Sequence, residues 1–210
     1  MSGINSTTVL WYVSRATGLV TLVLLTAVAV LGILVTRKGR LPGLPSFAVT
    51  GLHRNLSLLA VAFTGLHVLT AVVDTYVSIP LISAVVPFTS GYERFATALG
   101  AISLDLMAAM IITSLLRRHL SAKFWRAVHW LAYVSWPVAF LHCLLASKDL
   151  RHGWMFGVTV LAGAVVVGAA LWRLSAAAST IPRAQRVSTV MASSDARTSV
   201  RRVSADRSRR

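Results

Sequence analysis

Five apolar segments, each long enough to cross a lipid bilayer, constrain the fold of this chain more than any other feature. An α-helix needs about 20 apolar residues to span a ~30 Å hydrocarbon core. The segments lack sustained alternation of apolar and polar residues, so helices are favoured over the strands of a membrane barrel. We therefore predict an all-α, polytopic membrane helix bundle with five transmembrane helices. The predicted spans are Val9 to Thr36, Phe47 to Val77, Phe95 to Leu116, Phe124 to Ala146 and Trp154 to Leu174.

The composition agrees with a membrane protein, because 56% of the residues are hydrophobic and only 13% are charged. A soluble domain carries about 25% charged residues. We expect residues 9–174 to form one membrane domain, with no room for a separate soluble catalytic domain, and 175–210 to form a disordered basic tail. Because the net charge is +15, we expect the chain to contact anionic lipid headgroups, and we expect no nucleic-acid partner. Ile79 to Gly91, broken by Pro80 and Pro87, is interpreted as an interfacial or re-entrant cap.

Lys and Arg residues are concentrated in alternate connections, which predicts an orientation. The connection from Arg37 to Arg54 has four, the connection from Arg117 to Arg126 has four, and Arg173 with the tail has nine. By the positive-inside rule, these 17 of the 21 basic residues lie on the cytoplasmic side. We therefore expect a plasma-membrane protein with its N-terminus outside and its C-terminus in the cytoplasm. The second and fourth helices then run parallel.

Four of the six histidines fall in the second and fourth segments. His53 and His67 are 14 residues apart, which places them only ~40° apart around an ideal helix and ~21 Å apart along it. His129 and His142 are 13 residues apart, so an ideal helix leaves them ~140° out of line. Pro137 lies between them and is expected to kink or tighten the helix. In parallel helices, matching depths pair His53 with His129 and His67 with His142.

Two stacked pairs of buried imidazoles suit the ligation of two haems b, one pair on each iron. Such an iron has no vacant position, so the protein would transfer electrons through the ring edges. Three alternatives remain open: a quinone-linked cytochrome b, a transporter or channel whose histidines bind a transition metal directly, and a structural subunit that binds no cofactor. The separation of ~21 Å along each helix argues against one mononuclear metal centre.

Several segments around these histidines resemble the ferric reductase-like transmembrane domain, a superfamily that includes NADPH oxidases, ferric reductases and the haem subunit of a bacterial methionine sulfoxide reductase. The resemblance implies two haems b ligated by the four histidines, in the electron-transfer subunit of an oxidoreductase. Members commonly have six spans where five are predicted here. The segments that carry the resemblance are Leu52 to Leu59, Leu66-His67, Trp125 to Tyr133 and Leu141-His142; Trp11 to Gly18 further resembles small actinobacterial members that consist of the membrane domain alone.

The flavin and nicotinamide domain that supplies electrons in the oxidases is not found in this sequence. We therefore expect the electron donor to be a quinone or a partner flavoprotein that carries the flavin. The expected acceptor is ferric iron or a partner protein.

Charged residues near the predicted helix ends are candidates for cofactor binding. Arg54 adjoins His53 and Arg126 lies one turn before His129, so either can bind propionates of an inner haem or anchor the helix in headgroups. Arg15 lies within the first span and is expected to pair with an outer propionate or with Asp105. Asp105 is interpreted as protonated, paired, or accepting a hydrogen bond from a ligand imidazole. Asp74 is expected to line the outer haem edge or to mark the end of its helix. Trp11, Tyr12, Trp125, Trp130 and Trp154 are interpreted as an aromatic belt at the membrane surfaces.

Overall fold

The computed structural model describes residues 6–36, 45–75, 77–146 and 153–178, and this part of the chain contains helices and no strands. Five helical regions are long and apolar enough to span a membrane, which confirms the predicted fold class. The helices are α1 (Ser6–Thr36), α2 (Ser46–Val73), α3 (Ile82–Val85), α4 (Arg94–Leu115), α5 (Ala122–His129), α6 (Ala132–Ala146) and α7 (Gly153–Ala178), with a 3₁₀ turn at Arg117–His119.

Two helix pairs form the main packing of the bundle. α1 packs along α2, α4 packs against α6, and α1 also contacts α6. Small residues let these backbones approach closely, as Ala96, Ala98 and Ala101 do where they are buried on α4. The indole Nε1 of Trp136 donates a hydrogen bond of 3.1 Å to Oγ1 of Thr26, which joins α6 to α1.

Large apolar side chains remain on the outside of the described helices. Leu58 is 64% exposed on α2, and Leu115 is 76% exposed on α4. In water, so many exposed apolar groups would drive aggregation, but lipid tails solvate them readily. The exposed surface therefore agrees with a bundle that lies in a bilayer.

The fourth predicted span consists of two helices with a tight turn between them. α5 ends at His129, Trp130 and Leu131 form the turn, and α6 begins at Ala132. The N–H groups of Leu131 and Val134 donate to carbonyls three residues earlier, at 2.9 and 3.0 Å, as in the narrower 3₁₀ geometry. Pro137 lies inside α6. The tightening that was expected at Pro137 therefore occurs at Trp130 and Leu131, while a kink at Pro137 stays a prediction.

The segment predicted as a cap is a structured connection between α2 and α4. α2 ends at Val73, four residues before the predicted end, and Asp74 forms its C-cap by donating its N–H to the carbonyl of Thr70. The connection contains the single turn α3, which packs against α4. At its end, the guanidinium Nε of Arg94 donates to the carbonyl of Phe88 at 2.8 Å.

The chain divides into two compact units, Met1–Val167 and Gly168–Arg210, with the boundary inside α7. The first unit contains α1 to α6, the first part of α7 and the four histidines of interest. In the second unit the structure describes the end of α7, up to Ala178. Residues 179–210 lie outside the described residues, so the disordered basic tail stays a prediction.

Candidate functional site

Four histidines form two ring pairs, and the pairs lie at opposite ends of the same helices. The ring centroids of His53 and His129 are 6.4 Å apart, and those of His67 and His142 are 6.2 Å apart. We call them the inner pair and the outer pair, after the predicted orientation. The structure thus brings together the partners that matching depth predicts. α2 runs parallel to α5 and α6, since the inner pair joins the earlier histidine of each region and the outer pair joins the later histidine of each.

Three of the four imidazoles donate a hydrogen bond to the backbone of a neighbouring helix. A carbonyl oxygen can only accept, so Nδ1 of each ring carries the proton and Nε2 carries a lone pair. A hydrogen bond from Nδ1–H to a carbonyl fixes the orientation of a ligand ring and raises its basicity. The bonds join Nδ1 of His53 to Val28 O at 3.1 Å, Nδ1 of His67 to Ser14 O at 2.8 Å and Nδ1 of His142 to Ala96 O at 2.7 Å.

A glycine lies four residues after each of these three acceptors, and the imidazole rests against it. Residues four apart share a helix face, so a ring that reaches the first carbonyl passes over the second residue. A Cβ on Gly100 would lie 2.8 Å from Cε1 of His142, one on Gly18 3.0 Å from Cε1 of His67, and one on Gly32 3.4 Å from Cε1 of His53. We call each acceptor with its glycine a carbonyl–glycine cradle.

These glycines were not predicted from the sequence, although the spacing of two of them was a signal. Gly18 and Gly32 are 14 residues apart, the same spacing as His53 and His67. α1 and α2 pack along each other, and Gly32 meets His53 while Gly18 meets His67. The equal spacing therefore brings each glycine against one ring. Gly100 has no matching partner spacing in the sequence.

His129 is held differently from the other three histidines. Its Nδ1 is buried and has no hydrogen-bond partner among the described residues. Instead, its ring stacks on the ring of Trp125, with centroids 5.0 Å apart and planes 19° apart. The guanidinium carbon of Arg117 lies 4.4 Å from the centroid of the same indole.

The spacing of each ring pair suits an iron between the rings. Two imidazoles that share a metal through bonds of ~2 Å place their centroids roughly 6 Å apart, which agrees with 6.4 and 6.2 Å. Each pair presents two imidazole nitrogen donors, which is the number that a haem b would take from the protein. Within the described ranges, no group of three or more His, Cys, Asp or Glu side chains could hold a metal ion. The donor set and the glycines that leave space for the rings therefore fit haem.

A cavity of about 230 Å³ lies beside the outer pair. Both rings of the pair line it, together with apolar residues of α1, α2 and α4 and residues of the connection before α4. Its charged lining residues are Arg15, Asp74 and Glu93. Asp74 lies at the end of α2, where its N–H caps the helix and its residue lines the cavity. It is buried and so does not mark a helix end in water, and its place at an outer haem edge stays a prediction.

The three arginines predicted as cofactor ligands lie at the expected ends of the bundle. Arg15 is half-buried, lines the outer cavity, and places its guanidinium carbon 3.8 Å from the ring centroid of Trp11. Arg54 and Arg126 are exposed beside the inner pair. Their role in binding propionates stays a prediction.

Asp105 does not accept a hydrogen bond from any of the four imidazoles. Three of the rings donate to backbone carbonyls, and Nδ1 of His129 has no partner in the part of the chain that the structure describes. Asp105 is exposed on α4. The interpretation of this residue as the acceptor of a hydrogen bond from a ligand imidazole is therefore wrong, because helix carbonyls are the acceptors for three of the rings.

His119 and the single cysteine, Cys143, are not members of either ring pair. His119 is exposed in the 3₁₀ turn, and His152 lies outside the described residues. Cys143 is a free thiol that lines the outer cavity next to His142.

Comparison with known families gives one match. The model of a family described as "Ferric reductase like transmembrane component" matches residues 17–140, which is more than half of the chain. The matched region contains His53, His67 and His129 and ends two residues before His142. No curated protein and no solved structure matches the chain.

Proposed function

Because the chain belongs to the ferric reductase-like transmembrane family and is therefore a membrane electron-transfer component, we propose that it binds two haems b and carries electrons across the bilayer as a subunit of an oxidoreductase. The observation that supports this most is the presence of two imidazole pairs, with centroids 6.4 and 6.2 Å apart, at the two ends of the same helices. One site at each end of the spans is what transfer across a membrane requires.

The four histidines would be the axial ligands in this proposal. His53 and His129 would hold the inner haem, and His67 and His142 the outer haem. Haem b supplies, when bound, a one-electron couple that needs no vacant iron position. The carbonyl–glycine cradles orient three of the rings and direct their Nε2 lone pairs away from the backbone that receives Nδ1–H.

Three arginines would bind haem propionates, since a guanidinium offers a fork that matches a carboxylate. Arg15 suits the outer haem because it lines the cavity beside the outer pair. Arg54 and Arg126 suit the inner haem because they lie next to the inner pair and remain exposed.

The electron donor is proposed to be a quinone or a partner flavoprotein that carries the flavin, and the acceptor ferric iron or a partner protein. The family supports a redox partner, since its members are electron-transfer components. The plasma membrane is the proposed location, with the N-terminus outside and the C-terminus in the cytoplasm. The bias of Lys and Arg towards alternate connections supports this orientation.

The test is a haem count by pyridine haemochrome absorbance on the purified protein and its histidine variants. We expect two haems per chain in the unchanged protein. His67→Ala and His142→Ala should each remove the outer haem, and His53→Ala and His129→Ala the inner one. His119→Ala is the matched control, because His119 is exposed and outside both pairs, and it should keep two haems.

Two results would contradict the proposal. If His67→Ala and His129→Ala removed the same haem, the pairing by depth would be wrong. If the protein bound no haem but took up stoichiometric zinc or copper, direct metal binding by the histidines would replace electron transfer as the function.

A further inference from the structure

The inner and outer pairs differ in what holds their ligands. Both rings of the outer pair rest in carbonyl–glycine cradles, at Ser14 with Gly18 and at Ala96 with Gly100. In the inner pair only His53 has such a cradle. His129 has a buried Nδ1 that finds no acceptor among the described residues. The two sites therefore share their ligand type and differ in the surroundings of one ring.

An indole takes the place of the missing cradle. Trp125 lies one helical turn before His129 on α5, and its ring lies nearly flat on the imidazole, 19° from parallel. The indole Nε1 donates to Oγ of Ser114 on α4 at 3.4 Å, and the Arg117 guanidinium covers the indole at 4.4 Å. The Trp125 ring is thus fixed by α4 and by the 3₁₀ turn, and it in turn limits the rotation of His129. Residues Arg117, Trp125 and His129 form what we call the inner stack.

The inner stack has electrostatic consequences for an iron bound to His129. An Nδ1–H bond to a carbonyl makes a ligand imidazole more basic, which favours the more positive ferric state. His129 lacks that bond within the described residues. A nearby cation such as Arg117 disfavours the ferric state further, because it repels the additional positive charge. Both effects raise the midpoint potential of the inner haem.

We propose, on the basis of the haem function proposed above, that Trp125 and Arg117 position His129 and raise the midpoint potential of the inner haem. Trp125 is a positioning residue that acts through His129. Arg117 acts through Trp125, since the cation–π contact holds the charge over the indole. Trp125, which was interpreted as part of an aromatic belt, thereby also influences the potential of the inner haem.

The experiment is a potentiometric titration of the purified, haem-loaded protein, followed by absorbance of the reduced haems. The His67→Ala variant, which keeps only the inner haem, assigns the inner potential. Arg117→Gln should favour the ferric inner haem roughly tenfold, which is a fall of ~59 mV for a one-electron couple. The outer potential should stay unchanged. Arg118→Gln is the matched control, because Arg118 is the next cation in the same turn and is also exposed.

A second set of variants tests whether Arg117 acts through Trp125. Trp125→Leu should lower the inner potential at least as much as Arg117→Gln, whereas Trp125→Phe, which keeps a stacking ring, should stay near the unchanged protein. In the double variant Arg117→Gln with Trp125→Leu, the inner potential should fall no further than in Trp125→Leu alone, because the two residues form one unit. If Trp125→Leu loses the inner haem, Arg117→Gln still tests the charge.

The outcomes separate this inference from the proposed function. Suppose that the protein holds two haems and that neither Arg117→Gln nor Arg118→Gln changes the inner potential. The inference is then wrong, while the haem function stands. The inference also fails if Arg117→Gln shifts both haems alike, since the stack touches only the inner ligand. A protein that binds no haem overturns the proposed function itself.

Discussion

The space that a side chain would have differs among the three carbonyl–glycine cradles. The imidazole and a Cβ cannot share the same space at Gly100, where the separation would be 2.8 Å. The space is tight at Gly18, at 3.0 Å, and close to ordinary contact at Gly32, at 3.4 Å. The three glycines therefore rank by how strongly a methyl group would displace the ligand beside them.

Gly100→Ala is expected to displace His142 and remove the outer haem while the inner haem stays. Gly18→Ala should weaken the same haem less, and Gly32→Ala should affect only the inner haem, and mildly. Overpacking of this kind costs about 1–3 kcal/mol. Haem content by pyridine haemochrome measures the series. Gly65→Ala is the control, since nothing lies within 4 Å of its Cβ position, and equal haem loss in Gly65→Ala and Gly100→Ala would contradict the cradle.

Only some of the residues of the two ring pairs and their cradles could be predicted from the sequence. The four histidines stood out because imidazoles at regular spacing in apolar spans are unusual. The glycines did not, since a helix glycine in a membrane protein commonly serves close packing. The acceptors Val28, Ser14 and Ala96 act through their backbone carbonyls. Every residue has such a carbonyl, so the residue type does not indicate which one accepts. For this reason one of the three interpretations of Asp105, as the acceptor of a hydrogen bond from an imidazole, is wrong.

At the scale of elements, the turn between α5 and α6 reconciles a 13-residue spacing with facing rings. A continuous helix would leave His129 and His142 ~140° out of line. The tight turn at Trp130 and Leu131 gives α5 its own rotation, so that each histidine faces its partner on α2. The sequence indicated that an interruption was needed. It did not indicate where, because Pro137 is tolerated inside α6 and the actual turn contains no glycine or proline.

Deletion of Leu131 is expected to abolish the inner site and keep the outer one. The loss of one residue rotates α5 by ~100° and shifts it by ~1.5 Å relative to α6. His129 then no longer faces His53, whereas α6 keeps His142 against His67. Pro137→Ala is the comparison variant and should keep two haems, because the rotation of α5 arises before that residue. One remaining haem after Pro137→Ala, with two after the deletion, would assign the interruption to the proline after all.

At the scale of the whole molecule, the proposed haems need an external electron source. Among the described residues there is no strand, and so no glycine-rich phosphate-binding loop that follows one. We expect dithionite to reduce both haems of the purified, flavin-free protein. NADH should reduce them only after a flavin and a reductase are added. Rapid and complete reduction by NADH alone, followed by haem absorbance, would reveal a nicotinamide site in the chain.

The distribution of charge within the first unit supports one orientation of the bundle. Near the inner pair the structure describes five exposed basic residues, namely Arg54, Arg117, Arg118, Lys123 and Arg126. Near the outer pair it describes one exposed basic residue, Arg94, and the half-buried Arg15. Because cytoplasmic connections of membrane proteins are enriched in Lys and Arg, we predict that the inner pair lies on the cytoplasmic side.

Site-directed labelling tests this orientation, and the chain suits the method because Cys143 is its single cysteine. In a Cys143→Ala background, Gly91→Cys reports the connection before α4, and Lys123→Cys reports the start of α5; both positions are exposed. In right-side-out vesicles a membrane-impermeant maleimide should label Gly91→Cys at once. It should label Lys123→Cys only after the membrane is permeabilised. Equal labelling of both denatured proteins is the control. The opposite pattern would place the outer pair in the cytoplasm and reverse the direction in which the bundle spans the membrane.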